Sequence, residues 1–359
     1  MIGRSIELTL PLVLSSAQVD FSLTNTQLGL FAMAEVLGVT IASASSYFWV
    51  SRITPSVITL VGILAFALGN IVTPFVPIEW LVTTRFVTAL FGEGLLLIVA
   101  TSTLGSTAQT SRVYAVYMAA QMLVGAGLLS AQGVLASAYG LFGVMMSLTL
   151  PSLLALWTLP VFRQLELSQR NVVRPRMRVL TWRSFFILAG MGVYHIGIGG
   201  TWAFLQQRGT QHGLDLTQGG LIMSGIMASG LIGNLIAVAS GHHFGHFRPL
   251  LLGVAGLGVG GVLVGLAGNL LLFIAGGVSL MVAWNLSVPY QIAFLGDRDH
   301  PPSHLALVPA FQGAGLAAGP MLVGLLASAD DYSIIALISM LAASLAAACF
   351  YLGHNGVKT

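Results

Sequence analysis

Charge is scarce in this sequence. Acidic and basic residues make up 7% of its 359 positions, whereas a soluble domain carries about 25%. So little charge cannot cover a water-facing surface, which excludes an ordinary soluble globule. Cysteine occurs once, as Cys349, so there is no internal disulfide and no multi-cysteine metal site. The apolar stretch 346–350 around it reads as the setting of an inert packed thiol. Lysine also occurs once, as Lys358. With no G-x-x-x-x-G-K-[ST] sequence, ATP hydrolysis by this chain is excluded. Neither an H-E-x-x-H helix nor a G-x-S-x-G elbow is present, which removes the recognisable intramembrane hydrolases. The 43 glycines follow no Gly-X-Y period, so the chain is not collagen-like. Residues 8–14 are apolar but carry no basic leader or A-x-A site, and no cleavable signal is read there.

What is present is hydrocarbon-compatible. Hydrophobic residues are 56% of the chain and the mean hydropathy is +0.91. Apolar runs near 20 residues read as spanning helices. They fall at about 1–19, 27–49, 56–73, 81–103, 114–135, 141–161, 184–205, 217–240, 249–267, 269–293, 305–327 and 333–352. The expected fold is therefore all-α and integral to a membrane, with 12 transmembrane helices. The chain begins almost inside the first run, so that helix is read as N-terminally truncated, with the true start upstream of Met1. If the first span runs outward, the inside loops hold Arg52, Arg112, Arg163, Arg170, Arg174, Arg176, Arg178, Arg183, Arg248, Arg298 and Lys358, and the outside loops only Arg208. Cytoplasmic loops are the ones enriched in Lys and Arg, which places the C-terminus in the cytoplasm.

The stretch 163–183 carries six arginines and reads as a solvated linker at the lipid headgroups. It divides the chain into an N-terminal six-helix bundle (1–161), a basic cytoplasmic linker (162–183) and a C-terminal six-helix bundle (184–359). An internal repeat supports the division. A shift of 191 residues lays Thr26-Gln27-Leu28-Gly29-Leu30 on Thr217-Gln218-Gly219-Gly220-Leu221, Gln121 on Gln312 and Gly133 on Gly324. Halves repeated in the same order are related by an axis along the membrane normal.

Twelve spans as six plus six, a basic central loop and a parallel repeat together resemble the major facilitator superfamily. Span four, Thr84-Arg85-Phe86-Val87-Thr88-Ala89-Leu90-Phe91-Gly92-Glu93-Gly94, is similar to the family's intramembrane arginine followed by spaced glycines, with Glu93 in an ordinarily uncharged place. The loops after spans two and eight, 46–55 and 241–249, keep Arg52 and Arg248 of the family's basic gating turn but not its acid. The glycine-proline signature of drug antiporters is missing from 125–133. Its nearest match, 315–324, lies in span eleven. The resemblance implies a cavity lined by spans one, four, seven and ten.

A charge in mid-bilayer costs about 2.5–3.5 kcal/mol on insertion scales, so each one needs a reason. Arg4, Glu7, Glu35, Arg85, Glu93 and His195 lie inside predicted spans and are candidates for substrate or proton coupling. Arg4 and Glu7 are three apart, as neighbours on one helical face are. Arg85 and Glu93 are eight apart, about 80° round an ideal helix, and are expected on one broad face. Arginine stays charged when buried; Glu93, Glu35 and Glu7 are its candidate partners. Glu35 sits on span two and is expected to pack against neighbouring helices, although desolvation of its charged form suits proton exchange. His195 precedes Gly197, Gly199, Gly200 and Trp202, a run that permits a broken helix and a binding site. Asn285, Tyr290, Gln121 and Gln312 are uncharged hydrogen-bonding candidates.

His242, His243 and His246 contain an i, i+4 pair, and Asp297, Asp299 and His300 cluster nearby in sequence. Both groups fall in short loops, read as solvated, and no metal site or cofactor is expected. The net charge of +3 follows from membrane topology, so nucleic acid is not expected as a partner. The expectation is a monomeric secondary active transporter of a small organic solute in a plasma membrane, the bacterial inner membrane. It would work by alternating access with protons as the coupling ion. The competing expectations are a non-transporting membrane sensor or scaffold on the same fold, and an intramembrane enzyme.

Overall fold

The computed structural model describes residues 2–105, 110–160, 162, 179–241, 243–296, 302–328 and 331–355. Arg163, Arg170, Arg174, Arg176 and Arg178 of the linker lie outside these residues, as do His242, Asp297, Arg298, Asp299, His300 and Lys358. The helices are α1 (Ser5–Phe21), α2 (Asn25–Trp49), α3 (Pro55–Val72), α4 (Ile78–Thr88), α5 (Gly94–Gly105), α6 (Thr110–Leu154) and α7 (Trp182–Ala203). They continue with a short α8 (Leu205–Thr210), then α9 (Leu216–Ser240), α10 (Phe247–Gly265), α11 (Leu270–Leu295), α12 (Val308–Leu326) and α13 (Ile334–Asn355). A single π turn, Ala89–Glu93, joins α4 to α5. Among the described residues, ten helical segments are long and apolar enough to cross a membrane.

The polarity of the molecule is inverted relative to a soluble protein. Leu60, Leu64 and Leu68 form an outward stripe on α3, and Leu341, Leu345 and Leu352 another on α13, each between 39% and 64% exposed. Glu35, Arg85 and Glu93 are buried at 1% or less. Contiguous apolar faces of this kind are rare on soluble monomers and belong in lipid.

The 45-residue α6 is not one rod. Gly140 has φ 58° and ψ −147°, a region essentially reserved for glycine. Gln132 and Ser147 would stand about 22 Å apart on a straight helix, yet Gln132 Nε2 donates to Ser147 Oγ at 3.1 Å. The two arms therefore lie side by side. Asp20, at the end of α1, fixes the corner by accepting the Leu141 N–H at 2.8 Å.

The repeat is visible in the contacts. Thr24 caps α2, accepting from the Gln27 N–H at 3.3 Å while Gln27 Oε1 accepts the Thr24 N–H at 2.9 Å, a reciprocal pair that satisfies two open donors of the helix start. Its mate 191 positions on, Asp215, caps α9 by accepting from the Gln218 N–H at 2.7 Å. α2 runs along α12 and α6 along α9, and both crossings are made by glycines. A Cβ on Gly29 would stand 2.7 Å from Pro320 O, and one on Gly220 would stand 2.6 Å from Leu129 O. Thr26 Oγ1 donates to Gly324 O at 3.2 Å, and Thr217 Oγ1 to Gly133 O at 3.4 Å. Each pair is the other shifted by 191.

These crossings close one end of the bundle. The same end is tied by Asn25 Nδ2 to Ser328 O at 2.8 Å and by Tyr332 OH to Asn25 Oδ1 at 2.7 Å. A cavity of about 190 Å³ lies toward the opposite end. Its walls come from the later turns of α2 and α11 and from the first turns of α12 (Val39, Ser43, Val288, Ile292, Pro309, Gln312).

Candidate functional site

The cavity gathers eight of the eleven polar candidates: Arg4, Glu7, Glu35, Glu93, Gln121, His195, Asn285 and Gln312. Arg85, Trp202 and Tyr290 lie outside it. Arg4 and Glu7 satisfy each other, with Nη2 to Oε1 at 2.5 Å and Nε to Oε2 at 3.0 Å. The spacing of three residues produces this pair on the first turn of α1.

Arg85 finds its carboxylate in Glu35. Nε donates to Glu35 Oε2 at 2.8 Å, and Nη1 donates to Asn70 Oδ1 at 2.9 Å and Thr73 Oγ1 at 3.0 Å. An arginine surrounded by hydrocarbon needs such a cradle. Glu35 Oε1, Arg85 Nη2 and Asn70 Nδ2 have no partner among the described residues. Glu35 therefore does two things: it pairs with Arg85, one of the pairings expected, and it forms part of the cavity wall.

Arg85 and Glu93 bond to different neighbours, and a π turn lies between them. The Gly94 N–H bonds to Ala89 O, five residues back, so one extra residue is wound into the helix between them. Arg85 points to α2 and α3, whereas Glu93 points to α1 and the cavity. Gly92 and Gly94 let this wider turn nest, with Gly92 close on Phe66 and Gly94 on Ala42. Glu93 Oε1 accepts the Ile6 N–H at 2.9 Å and the Ser5 hydroxyl at 3.3 Å, at the start of α1. Its Oε2 is buried with no partner among the described residues. A carboxylate at a helix start meets open N–H groups and the positive end of the dipole.

The run after His195 does not break its helix. α7 is continuous to Ala203, because the glycines are taken up in packing: Gly199 meets Leu316, Gly200 meets Gly319 and Gly197 meets Leu257. The chain departs from helix only at Phe204, φ −99° and ψ 14°. His195 Nδ1 sits 2.8 Å from Met191 O, and its ring lies 6.5 Å from that of Trp284, nearly perpendicular. Trp202 is buried away from the cavity, its Nε1–H given to Glu7 O at 2.9 Å. Tyr290 is a tether, its hydroxyl 3.2 Å from both Ala237 O and Gly241 O at the end of α9. Arg52 and Arg248 are exposed, Arg52 in a short 3-10 turn after α2 and Arg248 in the first turn of α10 rather than in the loop expected.

Asn285 is fixed by Asn234 Nδ2 at 3.3 Å and Met281 O at 2.9 Å. Gln312 Nε2 donates to Gln291 Oε1 at 3.2 Å, and Gln291 to Ser287 Oγ at 3.1 Å. Gln121 Nε2 donates to Tyr117 OH at 3.0 Å. Sequence reasoning missed Tyr117, Trp284, Asn70 and Thr73. The shift of 191 would have found Trp284, since it stands on Glu93. Asn70 was legible as a lone amide in an apolar span. The cavity also draws on α2, α6 and α12, beyond the four spans expected.

No protein-family model and no curated protein matches the sequence. Solved structures do. A mutant form of the nucleoside transporter NupG superposes with a TM-score of 0.70 at 12% identity over 99% of this chain and 97% of that one. A bacterial homologue of the iron transporter ferroportin, inward-facing, gives 0.67 at 13% over 98% and 97%. The fold is shared with these solved transporters. A bacterial homologue of the human lysosomal transporter Spinster, inward-facing and unoccupied, gives 0.66 at 13% over 98% and 95%. Each of these three covers nearly the whole of this chain at 13% identity or less, so the likeness is one of fold.

Proposed function

We propose that this protein is a secondary active transporter of a small organic solute, working by alternating access and driven by protons. The carrying observation is the cavity itself. It lies between two sequence-related halves, is shut at one end by paired glycine crossings, and is lined by ion-paired and unpaired carboxylates. Twelve spans follow from the ten long segments with two additions. One is the fold of α6 at Gly140, which makes two spans of one. The other is α1, whose 17 residues reach about 26 Å, close to the hydrocarbon thickness. The units are two six-helix bundles, 1–161 and 184–359, joined by 162–183 and acting as a monomer. The arginine distribution favours a bacterial inner membrane with the C-terminus cytoplasmic, so that the cavity faces the cytoplasm.

Glu93 is the proposed proton carrier. Its side chain is buried, one oxygen holds the start of α1, and the other has no partner among the described residues. Arg4, Glu7, Glu35 and Gln121 complete the wall, Arg85 holds Glu35 in place, and Arg52 and Arg248 belong to the gating turns. His195, Trp202, Asn285, Tyr290 and Gln312 position the second half of the site. The test is uptake into proteoliposomes of the full chain under an imposed pH gradient. Glu93→Gln, which keeps an acceptor for the Ile6 N–H, is expected to abolish accumulation above the outside concentration while solute exchange at equal pH continues. Undiminished accumulation in that variant would refute the assignment.

A further inference from the structure

We propose that the cavity is divided by chemistry as it is by sequence. The wall from the first half carries the proton, and the wall from the second half binds the solute, an uncharged heteroaromatic compound of one or two rings with amide-like edges. This rests on the transport reading above and names its substrate class.

The division emerges from the repeat. Seven pairs of cavity residues are mates at an offset of 191, among them Arg4 with His195, Glu93 with Trp284, and Gln121 with Gln312. At Arg4 and Glu93 the first half presents a charge and the second a ring, while the mates of Glu7 and Glu35 are the apolar Ile198 and Ile226, so the second wall keeps none of the four charges as a carboxylate or guanidinium. The charges of the first wall are already engaged: Arg4 with Glu7, Glu35 with Arg85, and Glu93 Oε1 with Ile6 and Ser5. A charged solute would have to open a buried pair to find a counter-ion, stranding its partner, or take the proton's place at Glu93, whose Oε2 has no partner among the described residues. An uncharged solute does not. The groups facing Glu93 are Arg4 and Glu7 from α1, Glu35 from α2 and Arg85 from α4. With Glu93 ionised, the five sum to one negative charge, and a single proton on Glu93 cancels it.

The second wall offers what a flat, uncharged ring needs. Trp284 supplies an aromatic face, with His195 set edgewise to it. Asn285 and Gln312 are held by their own bonds, and each keeps amide capacity for a ligand. Gln121 supplies a third primary amide from across the cavity. Aromatic stacking with edge hydrogen bonds is how planar bases are held elsewhere. The volume of about 190 Å³ is below the roughly 300 Å³ where drug-sized pockets begin, so the solute is small.

The experiment is equilibrium binding to the purified full chain in lipid nanodiscs. Five tritiated probes are compared: uracil, adenine, glucose, tetraethylammonium and benzoate. Uracil or adenine is expected to bind, and the other three are not. Trp284→Ala and Gln312→Ala should each weaken that binding about tenfold or more, and Trp284→Phe should restore most of it. Glu93→Gln should remove the dependence of that binding on pH. The proposal falls if the cation or the anion binds best, if none of the five binds, or if Glu93→Gln abolishes binding while Trp284→Ala does not. Accumulation of tetraethylammonium by a pH gradient would sustain transport and sink this inference. Binding of a heteroaromatic probe that no gradient ever moves would sink the transport reading instead.

Discussion

The two halves of this chain hold the same backbone together by opposite means. In the first, Arg85, Glu35, Asn70 and Thr73 form one hydrogen-bonded cluster between α2, α3 and α4. An offset of 191 turns these four into Gly276, Ile226, Gly261 and Val264. There the helices close by approach: Gly276 lies against Gly260 and Val264, and Ile226 fills the space beside Gly277. The second half shows that the architecture does not require an ion pair at this place. Buried pairs contribute little net stability, because desolvation offsets their attraction. The first half therefore keeps its charges for what they do beside the cavity.

The comparison breaks most visibly if one partner is removed. Glu35→Ala strands Arg85 and should cost about 3–5 kcal/mol, read as a fall in the unfolding midpoint in detergent. Copying the second half instead, with Glu35→Ile and Arg85→Gly together, should cost clearly less than either single change. A double variant as unstable as the single one would show that the cluster is structural after all. Ile226→Glu, which writes the acid into the second half without its arginine, should cost about 2–4 kcal/mol in the same measurement, provided no cation moves in to meet it. Gly140→Ala should cost about 1–3 kcal/mol, since its Cβ would also press on Asp20; Asp20→Ala in the same background should recover part of that loss. Smallest is Trp202→Phe, which removes one bond between the halves and should cost about 0.5–1.5 kcal/mol.

Much of this was legible in the sequence. Spacing of apolar runs located the helices to within a few residues. The offset of 191 paired Gly29 with Gly220 and Gly133 with Gly324, though not the crossings these glycines make. Scarcity of charge singled out Arg85, Glu35 and Glu93, because hydrocarbon admits none without a partner. Glu93, Glu35 and Glu7 were all legible as partners of Arg85, but the choice of Glu35 among them was not. The π turn between Arg85 and Glu93 was not legible either. The fate of Trp202 and of the glycines after His195 was equally hidden. In a chain apolar on every side, sequence alone does not show which face meets lipid and which meets another helix.

The glycine crossings at the shut end have a mechanical consequence. Backbone lies on backbone there, with no side chain inserted between neighbours as a bolt. Dispersion between such smooth surfaces is individually weak and lost within about an ångström of separation. Two threonine hydroxyls, at 3.2 and 3.4 Å, are the only directional bonds described at the crossings themselves. If the ends alternate as proposed, unsealing this one asks no rotamer to flip and no knob to leave its socket. What must break at that end is the pair of ties beside the crossings, Asn25 to Ser328 and Tyr332 to Asn25.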